Sequence, residues 1–148
     1  MNKEKYCALT VNQQTMQAQM NSQLKSFERL ASDSFDPVSL WERVNGDMAL
    51  LRDLVGLFEL EYPELLLNIK SAIELGSSTD LHRFSHKLIG SALQFSGKSV
   101  VAASFQLEEM GRTGKLDGAG QVLMTLQFEV LRLMEALNRM IAVEQPVM

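Results

Sequence analysis

The chain has one cysteine, three prolines, one tryptophan and two tyrosines among 148 residues. With Cys7 alone, no intrachain disulfide can form. Residues 1–15 are polar and lack an apolar core segment, so no secretory signal is expected, and the reading favours the cytoplasm. No apolar run approaches the ~20 residues of a membrane span. Lysine and arginine form no cluster, and the net charge is −4, which argues against nucleic acid as the main partner. A Gly-rich phosphate loop is missing, as is any group of aspartates suited to Mg²⁺, so the chain carries no ATP-binding machinery of its own. Few prolines and tyrosines beside many leucines and methionines disfavour a β-rich fold.

What is present is enough apolar content, 46%, for one packed domain of helices. Met1 suits a free-standing protein. Residues 1–12 show no period and are expected to be flexible. An amphipathic helix is predicted over 13–31, with Met16, Met20, Leu24, Phe27 and Leu30 on one stripe. That stripe either packs on the bundle, at one end or one side, or docks a second copy or another protein; methionine adapts to either. Asp36-Pro37 opens a short helix through Leu40-Trp41 that stops at Asn45-Gly46. Asp47 caps a long one, with Leu51, Leu54, Val55, Phe58, Tyr62, Leu65, Leu66, Ile69 and Ile73 in phase. Pro63 interrupts it at a cost of about 3 kcal/mol. It either kinks or splits the helix; the unbroken phase favours one kinked helix ending at Gly76.

Ser77-Ser78-Thr79-Asp80 is a turn and cap cluster. The next stripe is Leu81, Ser85, Leu88, Ala92 and Phe95, ending near Ser96-Gly97. A further helix carries Val100, Ala103, Leu107 and Met110 and is expected to stop over Gly111-Arg112-Thr113-Gly114. Asp117 is read as the cap of the last helix, which buries Val122, Leu126, Val130, Leu133, Leu137 and Ile141. Residues 143–148 are expected to fray. Four long amphipathic helices with short connections pack as an antiparallel bundle, so the predicted class is all-α, with additional N-terminal helices.

His86 follows the buried Ser85 by one position, about 100° round the helix, at or beyond the edge of the buried face. Gly90 is one turn on. Glycine inside a helix costs roughly 1 kcal/mol relative to alanine, and the compensation read here is access to the imidazole. Histidine titrates near pH 6.5 in general, so a ring at neutral pH is mostly a neutral nucleophile that needs orientation rather than a strong base. On the following helix Glu108 shares a face with Val101 and Phe105. Arg83, one turn before His86, and the adjacent Lys87 are candidates to meet an anionic group brought to the ring. His82 and His86 stand at i, i+4 like paired metal ligands, but no third ligand is evident. The group Glu59, Glu61 and Glu64 lacks the Glu-x-x-His pattern of di-iron bundles and reads as a solvated face. No metal is assigned to this chain.

The run Ser85-His86-Lys87-Leu88-Ile89-Gly90-Ser91 resembles the His-x-Leu-x-Gly-Ser core of histidine-containing phosphotransfer (HPt) domains. Leu107-Glu108-Glu109-Met110-Gly111-Arg112-Thr113-Gly114 is similar to that family's Leu-Glu-x-x-Gly-Arg-x-Gly turn. Leu57-Phe58 with Tyr62-Pro63-Glu64-Leu65-Leu66 is similar to its Phe-x-x-x-x-Pro-Glu-Leu-Leu segment. The resemblance covers about 36–142 and implies an HPt-like bundle over those residues. It further implies a phosphorelay intermediate that exchanges a phosphoryl group between His86 and the aspartates of response-regulator receiver domains. It implies a polar residue facing the histidine, here Glu108, whose carboxylate is the candidate to accept the ring N–H and orient the ring. A sensor histidine kinase is the other implied partner, any Mg²⁺ belongs to the receiver, and a monomer is expected. Gly90, Ile89 and His82 then fall on the partner-binding surface. Two positions depart from the pattern. Ile89 stands where the family usually has lysine, and Ser96 stands where it usually has glycine. Ile89 favours a rival reading, an adaptor bundle that binds a kinase or receiver without carrying phosphate.

Overall fold

The computed structural model describes residues 35–143. The expectations for 1–12, for the 13–31 helix and for 144–148 lie outside them. Every described element is a helix: α1 Pro37–Arg43, α2 Met48–Leu75, α3 Ser78–Leu93, α4 Lys98–Thr113 and α5 Ala119–Val143. The four long helices pack in a ring, with α2 on α3, α3 on α4, α4 on α5, and α5 back on α2. Short connections make neighbours antiparallel. Among the described residues no helix is long and apolar enough to cross a membrane.

Local chemistry sets the helix ends. Asp36 accepts from Ser39 N and Asp47 from Leu50 N, each satisfying a first-turn amide. Pro37 occupies the first turn of α1, where its missing N–H costs nothing. Helix α2 runs through Pro63 unbroken to Gly76, whose φ of 68° ends it in the left-handed region. Pro63 and Glu59 are both exposed. The carbonyl of Glu59, four residues back, therefore loses its amide partner on the solvent side, where water can replace it.

The predicted stripes are the core. Leu51, Val55, Phe58, Leu65 and Ile69 of α2 meet Leu81, Leu88 and Ala92 of α3, Val100 and Leu107 of α4, and Leu126, Val130, Leu133 and Leu137 of α5, all buried. Phe35, Leu40, Trp41 and Val44 join the same cluster from the α1 segment.

The stop expected over 111–114 falls at the last residue of that run: Gly114, with φ 76°, ends α4, and Gly111 is buried inside the helix. Two other expectations about ends are corrected. Asp117 is not the cap of α5. A turn closed by Ala119 N donating to Leu116 O carries the chain through Gly118 at φ 82°, whose carbonyl accepts from Gln121 and Val122. A left-handed residue next to the helix displaces the cap from the aspartate to the glycine. Val143, expected in the frayed tail, is the last residue of α5.

Candidate functional site

Helices α3 and α4 form the tightest pair of the bundle, and the site sits across them. Ser77 caps α3 by accepting from Asp80 N. The stripe Leu81, Ser85, Leu88, Ala92 then faces inward, fully buried. On α4 the facing residues are small as well: Ala103, Ser104 and Gly111 are buried. A side chain at 111 would put its Cβ 2.5 Å from His82 N and 2.7 Å from Ser78 O. Gly111 thus lets the α4 backbone touch the α3 backbone directly. Sequence reasoning read this glycine as a helix end, because close approach and termination leave the same residue type.

One turn from that contact, His86 and Glu108 meet. His86 Nδ1 lies 2.6 Å from Glu108 Oε2. The two side chains differ in environment: the imidazole is 72% exposed and the carboxylate 14% exposed. An ionised carboxylate only accepts, so the ring proton belongs on Nδ1 and the lone pair of the neutral ring on Nε2. Glu108 is anchored among packed residues of α4, while the imidazole projects outward from α3. The arrangement holds a ring by one nitrogen and leaves the rest of it to solvent.

The other candidate residues are distributed around this pair. Gly90 is exposed, with nothing within 4 Å of where a Cβ would stand. Ile89 is half-buried. The His82 ring stacks parallel to that of His86, centroids 6.2 Å apart. Arg83 bonds Asp80 at 3.3 Å and lies over the Phe84 ring at 4.7 Å, so its contacts run back toward the start of α3. Lys87 turns to α2, lining a cleft of about 180 Å³ with Glu61, Glu64, Asn68 and Phe84. Neither cation makes a recorded contact with His86. Among the described residues no three His, Cys, Asp or Glu side chains gather as a metal site.

Three features around the site escaped the sequence reading. Ser91 donates to Glu61 at 3.0 Å, tying α3 to α2 one turn beyond Lys87. Arg112 holds Glu109 through two hydrogen bonds, which pull that carboxyl below the usual carboxylate range. Leu93 and Phe105 are exposed at 53% each. They line a cleft of about 460 Å³ with Ser39, Arg43 and Lys98 at the far end of α3, and none of the predicted site residues lines it. Helical period alone does not say which of two apolar faces meets the core, which hid Leu93 and Phe105. The two side-chain pairings depend on rotamers that no period encodes.

The substituted glycine position also has a structural account. Ser96 adopts φ 54°, in the left-handed region that favours glycine. Its hydroxyl donates to Ser39 Oγ at 3.3 Å, a partial compensation for the strain.

Comparison with known proteins agrees with this geometry. A family model described as Hpt domain matches residues 53–142. Among solved structures, histidine-containing phosphotransfer protein B from Pseudomonas aeruginosa PAO1 superposes with a TM-score of 0.66 at 19% identity, covering 78% of this chain and 100% of that one. At that identity the likeness speaks for the fold. None of the curated proteins compared matches the sequence.

Proposed function

Since the chain belongs to the Hpt domain family, we propose that it is a phosphorelay intermediate that carries a phosphoryl group on His86. The observation that carries this reading is the 2.6 Å contact between His86 Nδ1 and Glu108 on an otherwise open imidazole. Nε2 attacks the phosphorus of an aspartyl phosphate on a response-regulator receiver domain. An N–P bond forms, the O–P bond breaks, and the aspartate leaves as carboxylate. The proton on Nδ1 stays where it is, and Glu108 stabilises the positive charge the ring acquires. The reverse step returns the group to a second receiver. Mg²⁺ comes with the receiver, and a hybrid sensor histidine kinase is the upstream source. The chain acts as a carrier without an ATP site, in the cytoplasm, as a monomer.

Gly90 gives the partner room to approach the ring. The transferring group spreads negative charge over its oxygens and needs cations nearby. Arg83 and Lys87 are within the reach of long side chains on the same helix, although each has an acidic neighbour at rest. With Ile89 in place of a lysine, the receiver supplies the larger share of positive charge.

The test is incubation of the full chain with phosphorylated receiver domains. Acid-labile label on the wild type, absent from a folded His86→Gln variant, supports the carrier. Label retained in that variant, through His82 for example, refutes the assignment of the acceptor. No label from any receiver that nonetheless binds the bundle leaves the adaptor reading.

A further inference from the structure

Helices α3 and α4 present two stripes to one groove. His82, His86, Ile89 and Leu93 follow at steps of four, three and four on α3, and Val101, Phe105, Glu108 and Arg112 at the same steps on α4. The helices are antiparallel, so the groove is polar at the end that holds His86 and apolar at the other. The polar end also holds His82. Its backbone N–H lies at the close contact with Gly111 that joins the two helices. Its ring is half-buried and nearly parallel to the His86 ring, 6.2 Å from it.

The acids on these two helices near His82 are all engaged. On α3, Asp80 is paired with Arg83 at 3.3 Å. From α4, Glu108 holds the His86 ring, and Glu109 holds Arg112 at 2.7 Å. Glu109 lies close enough for charge on His82 to lower its carboxyl further, beside the larger effect of Arg112. Lys87 turns away to α2, and Ile89 brings no charge. A phosphoryl group on Nε2 of His86 upsets this balance. It adds roughly two negative charges near neutral pH, while Glu108 is engaged with the other ring nitrogen. A helical side chain covers the turn before its own, so the His86 ring leans toward His82.

We propose that His82 takes up a proton from solvent when His86 is phosphorylated and faces the phosphoryl oxygens as a cation. The proposal rests on the carrier reading of His86. Between one receiver and the next no partner supplies positive charge, so the free carrier has to meet the phosphoryl group with its own. Transfer onward releases the proton again. In a water-like medium a charge at the 6.2 Å ring separation moves a titration midpoint by about half a pH unit. Two charges move it by about one unit, and screening by salt brings that to about half. Linkage is reciprocal, so a protonated His82 favours the phosphorylated form by the same factor, about 3–10-fold. The sign follows from the raised midpoint. The advantage is full below the resting midpoint and is lost as pH rises through the raised one.

The chain has two histidines, so ring NMR signals follow both. Phosphoramidate, a small phosphoryl donor, loads His86 without any receiver. Between about pH 6 and pH 9 the His82 midpoint should rise by about half to one unit on loading, and stay put in His86→Gln treated alike. In exchange with a receiver at about pH 6, His82→Gln should hold about 3–10-fold less phosphoryl group at equilibrium than wild type. The difference should fade above about pH 8.5. His82→Lys, charged throughout, should match wild type at the acid end and hold more at the alkaline end. A His82 midpoint that loading leaves unmoved overturns the proposal while the carrier reading stands. A His82→Gln deficit equal across the pH range marks a packing role and also overturns it. A bundle that phosphoramidate loads and no receiver does loses the carrier reading, and the midpoint still decides for His82.

Discussion

Gly111→Ala adds one methyl group, and the structure fixes where it goes. Its Cβ would stand 2.5 Å from His82 N, 2.7 Å from Ser78 O and 2.9 Å from His82 Cα, whereas ordinary contact begins at 3.4 Å. All three are backbone atoms, so no side chain can turn aside. The α4 backbone must withdraw by about 1 Å (3.4 less 2.5). Glu108 is one turn away on the same helix. The same displacement there stretches the 2.6 Å contact with His86 to about 3.5 Å, beyond the ~2.7–3.2 Å of an ordinary N–H···O bond. Alanine in a helix gains up to about 1 kcal/mol over glycine, but overpacking costs about 1–3 kcal/mol, and a backbone clash belongs at the upper end. A net loss of about 2 kcal/mol corresponds to a fall in Tm on the order of 5 °C for a chain of this size. Thermal unfolding measures the first effect, and the nitrogen NMR signals of the His86 ring measure the second. Gly90→Ala is the control, because open space surrounds that position; it should raise Tm. A Gly111→Ala protein with unchanged Tm and unchanged ring signals would show that α3 and α4 are not held in register by this contact.

Glu108→Ala should slow transfer about 10–100-fold and shift the ring toward the other tautomer, read by the same nitrogen signals; unaltered signals would remove Glu108 from the site. Gly90→Gln should improve helix propensity by up to about 1 kcal/mol and yet slow transfer by crowding the imidazole, so transfer at the native rate would end the access argument. Ile89→Lys should raise the transfer rate or widen the range of accepted receivers, and Arg83→Ala should lower the rate more than Lys87→Ala does. If Ile89→Lys changes neither and Arg83→Ala is silent, the partner supplies all the charge. Ser96→Gly should raise stability by about 1 kcal/mol, because it relieves a left-handed serine; a loss instead would mean that the bond to Ser39 outweighs the strain.

The helices were legible because their apolar residues recur with a helical period and their starts carry side-chain caps. Asp36, Asp47 and Ser77 cap in the structure as their sequence contexts suggest. The proximity of His86 and Glu108 was legible only through the resemblance to a family, since the two are 22 residues apart on different helices. The errors share one cause. Gly111 and Asp117 were read by residue type alone, and glycine serves close packing, helix ends and left-handed turns equally well. The resting contacts of Arg83 and Lys87 were illegible because a long side chain chooses among neighbours that helical period does not rank.

The His86–Glu108 contact also bears on how the molecule assembles. Its two residues lie in consecutive antiparallel helices joined by four residues, so the whole constellation is contained in a hairpin, 78–114. Closing a short loop costs little chain entropy, and local contacts form early in folding. The pair can therefore come together before α2 and α5 dock. Substitutions on those two helices would then alter how long the bundle survives, while those along the hairpin would alter how quickly it is built.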